Sequence, residues 1–132
     1  MVTGKEILVA DDEAIIRKVL FEVLSGEGYR VTLAKDGQES LEQMARHCFD
    51  LLITDVHMPR LDGIGLLRRM KKDGRGEKVI LITGNPMADS YSEKDLQTVF
   101  SLVRKPFRIQ GLLSAVAAAL AESDGPAPIS RN

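Results

Sequence analysis

Five polar side chains stand where short apolar runs end. Asp11 and Asp12 follow Ile7-Leu8-Val9-Ala10, and Asp55 follows Leu51-Leu52-Ile53-Thr54. Thr83 follows Val79-Ile80-Leu81-Ile82, and Lys105-Pro106 follows Leu102-Val103-Arg104. Three carboxylates, a hydroxyl and an ammonium brought into one volume suit a divalent cation and a phosphoryl group. Mg2+ (or Mn2+) takes oxygen ligands and keeps several waters, so Asp11, Asp12 and Asp55 suffice, with the backbone carbonyl of His57 as a further ligand. Without a cation the three would repel one another and raise at least one pKa. An Asp-Asp pair alone would read as a helix N-cap on a solvated turn; Asp55 and Lys105 at other strand ends favour a site. No glycine-rich Gly-Lys-Ser or Gly-Lys-Thr loop exists, and Gly4-Lys5 precedes its strand, so nucleotide binding is disfavoured. The phosphoryl group is expected on Asp55 itself, as an acyl phosphate. A carboxylate is a competent nucleophile once a metal and an ammonium neutralise the incoming oxygens. Lys105 is the candidate ammonium and Thr83 the candidate hydroxyl donor.

The elements that must hold these groups are legible as an alternation. Strands are expected over Glu6–Ala10, Tyr29–Ala34, Asp50–Thr54, Lys78–Ile82 and Val99–Val103. Helical spacing runs from Ile15 to Leu24, ending at Gly26-Glu27-Gly28, then over Gln38–Arg46, Ile64–Lys72 and the alanine-rich Ile109–Ala121. The polar stretch from Asn85 to Thr98 has the weakest pattern. Continuous apolar strands between helices imply a doubly wound α/β domain with a parallel sheet, whose ligands sit beyond the carboxyl ends of the strands. Residues 1–121 form that domain, and 122–132, with Gly125, Pro126 and Pro128, read as a loose tail or a cut linker.

Bulk composition agrees. A chain of 132 residues with 44% hydrophobic and 28% charged content is ordinary globular material. The formal net charge of -1 gives no electrostatic reason for nucleic acid or an anionic membrane as partner. No apolar stretch approaches a membrane span, and no secretory signal is present at the N-terminus, so a cytoplasmic location is expected. Cys48 is the only cysteine and is expected to be a small buried filler at a helix end.

These motifs resemble the response-regulator receiver domain of two-component signalling, similar to the chemotaxis regulators, over about Lys5 to Ala121. The resemblance rests on Asp11 and Asp12 in Val-Ala-Asp-Asp-Glu, Asp55 in Thr-Asp-Val-His-Met-Pro, Gly63 in Leu-Asp-Gly, Thr83 in Ile-Thr-Gly, and Lys105 in Lys-Pro-Phe. It implies a flavodoxin-like (βα)5 fold with strand order 2-1-3-4-5. It also implies that Asp55 takes a phosphoryl group from a phosphohistidine on a sensor kinase or phosphotransfer partner, with Mg2+ on Asp11, Asp12 and Asp55. Thr83 and Lys105 then contact the phosphoryl group, and the Lys105–Pro106 bond is cis.

One position departs from the pattern. Receivers usually carry an aromatic residue three positions before the lysine, where this chain has Leu102. Phe100 is expected on the same face by strand alternation and could partly compensate, although both residues also read as core. A conformational response that is weaker or differently routed is the expectation; full-sized shifts of the fourth helix and fifth strand on beryllofluoride addition would count against it. His57 either overhangs the phosphoryl group and sets its lifetime or is a solvated loop residue. His47 faces a helix end. Ile15 is either an exposed docking point for a histidine-bearing helix or core. The last helix has no charge between Gln110 and Glu122, so a face of the fourth helix, fifth strand and fifth helix is a candidate interface for a homodimer or a downstream domain, against simple helix propensity. The competing functions are a docking-only receiver and an aspartyl-phosphate phosphatase or phosphotransferase. The latter is disfavoured because Val56-His57-Met58-Pro59 offers no second acid/base carboxylate, so no enzyme beyond self-phosphorylation and dephosphorylation is expected.

Overall fold

The computed structural model describes residues 4–84 and 91–121. The weakly patterned stretch therefore lies partly outside the described residues, and the tail at 122–132 lies wholly outside them. The five strands are β1 (Glu6–Ala10), β2 (Arg30–Ala34), β3 (Leu51–Asp55), β4 (Lys78–Thr83) and β5 (Val99–Arg104). The helices are α1 (Ala14–Gly26), α2 (Gly37–Arg46), α3 (Gly63–Lys72), the single turn α4 (Glu93–Leu96) and α5 (Ile109–Ala121). All strand pairs are parallel, in the order β2-β1-β3-β4-β5, as the resemblance implies.

Alternation along the central strands builds two cores, one on each face of the sheet. Ile7, Val9, Leu51, Ile53, Ile80 and Ile82 pack with Leu20 and Leu24 of α1 and Leu112, Val116 and Leu120 of α5. Leu8, Leu52, Val79 and Leu81 pack on the other face with Met44 of α2 and Leu66, Leu67 and Met70 of α3. Side chains at successive strand positions point to opposite faces, so an apolar run with no polar member requires cover on both sides. Fully burying each Leu or Ile contributes about 1.5–3 kcal/mol, which is why the middle positions of the three inner strands are apolar. Local signals start the helices. Asp36 caps α2 by accepting from Glu39 N at 2.8 Å, and Asp62 caps α3 by accepting from Gly65 N at 2.7 Å.

The edge strand β5 corrects one expectation. Its pairing with β4 runs Val79 to Val99 and then Ile80 to Ser101, so Phe100 is an extra residue at a register irregularity. Phe100 therefore packs on the α1/α5 side, with Lys78 Nζ 5.3 Å from its ring centroid. Leu102 pairs with Leu81, whose side chain belongs to the opposite face, and is 42% exposed. The two residues do not share a face, and Leu102 is not core. Cys48 is a second correction. It lies exposed just beyond α2, because Phe49 takes the buried position there.

Candidate functional site

The carboxyl ends of β1, β3 and β4 and the turn after β5 meet at one edge of the sheet. Asp11 N donates to Ala34 O at 3.1 Å, its Oδ1 accepts from Glu13 N at 2.9 Å, and Arg17 holds its carbonyl at 2.8 Å. Asp55 closes β3, and the next residue, Val56, donates to Ile82 O at 2.9 Å, which sets Thr83 one step beyond. Thr83 is fully buried, and its carbonyl accepts from Lys105 N at 2.8 Å, tying the residue after β5 to the end of β4. The Lys105–Pro106 bond is cis, as expected.

Ligand oxygens of Asp11, Asp12 and Asp55 lie within 4.8 Å of one another. Asp11 and Asp55 are buried and Asp12 is exposed, so the cluster is open on one side. Lys105 Nζ reaches Asp11 Oδ2 at 3.1 Å, Asp55 Oδ2 at 3.2 Å and Glu13 Oε1 at 3.0 Å. Burial pushes the Asp11 and Asp55 carboxyls up, Asp11 further by the Asp55 charge and Asp55 by that of Asp12. Lys105, and the backbone N–H groups of Glu13 toward Asp11 and of His57 toward Asp55, oppose the rise. Burial would lower the Lys105 pKa, but its hydrogen bond to Glu13 and the Asp11 and Asp55 charges outweigh that and raise it. One ammonium thus faces more negative charge than it can balance. Asp11 Oδ2 is buried and makes no hydrogen bond of good geometry among the described residues, although it lies at ion-pair distance from Lys105. Three clustered carboxylates against a single ammonium fit a hard divalent cation.

Two glycines permit this packing. Gly63 donates to Val56 O at 2.8 Å, and a Cβ there would lie 2.2 Å from Asp55 O. Gly37 donates to Leu61 O at 2.9 Å, and a Cβ there would lie 2.4 Å from that oxygen. The loop after β3 is held further by Arg60, in the left-handed region at φ 67°, whose Nε donates to Asp36 at 2.9 Å.

All five expected side-chain positions fall at this end of the sheet. His57 is exposed on the loop beyond Asp55, and Ile15 is 66% exposed in the first turn of α1. His47 follows α2, its ring edge-on to Phe49 at 6.0 Å. Glu13 was not anticipated. Its position in the acidic run is the only hint, because nothing nearby in sequence shows which cation it meets.

Residues 7–117 match the model of the response regulator receiver domain family. This chain belongs to that family. It is 38% identical over 117 residues to the response regulator MprA of Mycobacterium leprae, covering 86% of this chain and 50% of MprA. It is 32% identical to the response regulator receiver protein CpdR of Brucella abortus, covering 85% of this chain and 93% of CpdR. The solved structure of the response regulator TrrA from Thermotoga maritima, in complex with Mg2+-BeF, superposes with a TM-score of 0.75 at 32% identity, covering 88% and 99% of the two chains. The chain thus spans about half the length of MprA and nearly all of CpdR. Among the described residues, no helix is long and apolar enough to cross a membrane.

Proposed function

We propose that this receiver is a working phosphoacceptor. Asp55 takes a phosphoryl group from a phosphohistidine on a sensor kinase or phosphotransfer protein, and the domain's surface changes in response. The observation that carries the reading is the Asp11–Asp12–Asp55 cluster, with Lys105 set against it. Asp11, Asp12, Asp55 and the His57 carbonyl would hold Mg2+ (or Mn2+), which supplies charge neutralisation for the incoming oxygens. An Asp55 carboxylate oxygen attacks phosphorus, and the phosphohistidine nitrogen leaves. Lys105 and the Thr83 hydroxyl hold the transferred oxygens, and water later cleaves the acyl phosphate.

Other observations support the pieces. TrrA, a member of the same family, was solved with Mg2+ and a beryllium fluoride group. Exposed Ile15 stands beside a groove of about 420 Å³ lined by Ile16, Val19, Lys105, Pro106, Phe107 and Ile109. An apolar strip ending at the site ammonium suits a helix that presents a phosphohistidine to Asp55. The charge-free outer positions of α5, Ser114, Ala117 and Ala118, with exposed Leu102 of β5, offer a second surface for a homodimer or a downstream domain. No nucleic acid or membrane contact is assigned to this domain, and its place is the cytoplasm.

The test is incubation with acetyl phosphate and Mg2+, read by intact-protein mass spectrometry. The parent gains one phosphoryl group, and Asp55→Ala or omission of Mg2+ prevents it. A gain that survives Asp55→Ala would overturn the assignment. Asp55-dependent turnover of a small phosphomonoester would favour the enzyme reading instead.

A further inference from the structure

Helix α3, Gly-Ile-Gly-Leu-Leu-Arg-Arg-Met-Lys-Lys, carries four cations and no acid. Its buried side (Ile64, Leu66, Leu67, Met70) is spent on the core, so the cations crowd onto the outer side. Between that side and α4 lies an open groove of about 430 Å³ lined by Leu67, Arg68, Lys71, Lys72, Lys94 and Asp95, closed by Ser92 and Thr98. Leu67, only 4% exposed, reaches the floor of the groove, while four cations and one carboxylate form its rim. The carboxylate is already committed. Asp95 accepts from Arg68 Nε at 2.9 Å and Nη2 at 2.8 Å, and also from Ser92 N at 3.0 Å in the capping box that starts α4. Lys71, Lys72 and Lys94 have no carboxylate within ion-pair distance among the described residues, and Lys71, Lys72 and Lys94 are exposed. Three solvated ammoniums around an apolar recess, in a chain whose net charge is -1, form a local excess of positive charge that the fold does not use.

We propose that the α3–α4 groove docks a short acidic segment of a partner protein, whose carboxylates meet Lys71, Lys72 and Lys94 and whose one apolar side chain enters beside Leu67. Charge complementarity selects the acidic partner, and the recess selects a peptide over a polyanion. A nucleic-acid backbone carries no apolar side chain to place there. The groove also lies between α3 and α4, the helices that follow β3 and β4 in the chain. The proposal does not depend on phosphorylation of Asp55.

The test uses the full chain and a short fluorescent peptide whose glutamates flank a central leucine, followed by anisotropy and by amide chemical-shift mapping. The parent binds, with shifts confined to α3, α4 and their flanks. The double variant Lys71→Glu/Lys72→Glu binds roughly tenfold or more weakly, the scale of losing close charge pairs. Replacing the peptide's leucine with serine weakens binding to the parent as well. Lys94→Glu serves as an independent second variant should the double variant fold poorly. Acetyl phosphate labelling of each variant, followed by mass spectrometry, separates this question from the phosphoacceptor reading, since labelling remains unchanged if only the groove is altered. No binding by the parent, binding indifferent to both charge reversals, or indifference to the leucine overturns the proposal. Displacement of the peptide by duplex DNA at lower concentration than by unlabelled peptide overturns it in favour of a nucleic-acid surface.

Discussion

Lys105 is held by three carboxylates at once, and this shapes what the site can do. In water each exposed pair would contribute little, but Asp11 and Asp55 are buried and cannot turn away to solvent. The third partner of Lys105, Glu13, is the most exposed of the three carboxylates that hold it. Gly63 matters just as directly. A methyl group 2.2 Å from Asp55 O cannot be accommodated without moving backbone, so Gly63→Ala should destabilise the domain by about 1–3 kcal/mol, the usual cost of overpacking. Urea unfolding measures that loss. Because the clash bears on Asp55 itself, the acetyl phosphate labelling rate of the folded fraction should fall as well. A variant with parental stability and parental labelling would show that the loop yields freely.

At the scale of elements, α4 is the least self-sufficient. One helical turn has no nucleating strength of its own, and Asp95 holds it from two sides, through the Ser92 capping box and the Arg68 bridge. That pairing drives the Asp95 carboxyl well below its ordinary range, with the Arg68 hydrogen bond as the largest cause. A carboxyl depressed in the folded state stabilises above its unfolded pKa and loses that contribution as pH falls. The acid limb of the stability curve below about pH 4 should therefore be flatter in Asp95→Asn than in the parent, in urea midpoints taken across that range. Identical limbs would mean the bridge is idle. The same elements show what could be seen in the sequence. The inner strands were legible because their middle positions are uninterrupted apolar runs, and the five site positions were legible because each follows such a run. Strands β3, β4 and β5 run one residue further because Asp55, Thr83 and Arg104 still pair, whereas β2 and β3 begin one residue later. Phe100 was misplaced because an extra residue inside a six-residue edge strand leaves the apolar pattern unchanged while reversing which face follows. Glu13 was missed because its partner lies 92 residues away, a distance that local spacing does not encode. Cys48 was read as buried from its residue type alone, and Phe49 occupies the space instead.

For the molecule as a whole, the sheet separates two cores that share their strands but not their helices. Leu112, fully buried on α5, packs in the core on the α1/α5 side. Leu112→Ala should cost about 2–5 kcal/mol, a large share of the ~5–15 kcal/mol that holds a domain of this size. The urea midpoint should fall while the denaturant slope stays near the parental value; a reduced slope would instead indicate that one core melts before the other. The irregularity in β5 has a consequence that concerns crowding. A sheet edge with an unbroken row of amides and carbonyls is a template on which a neighbouring chain can add its own strand. In β5 the ladder shifts at Phe100, so the outward groups fall out of step part-way along the edge. Neighbouring copies that met there would find no continuous partner, and the domain is kept from fusing into fibres through its backbone.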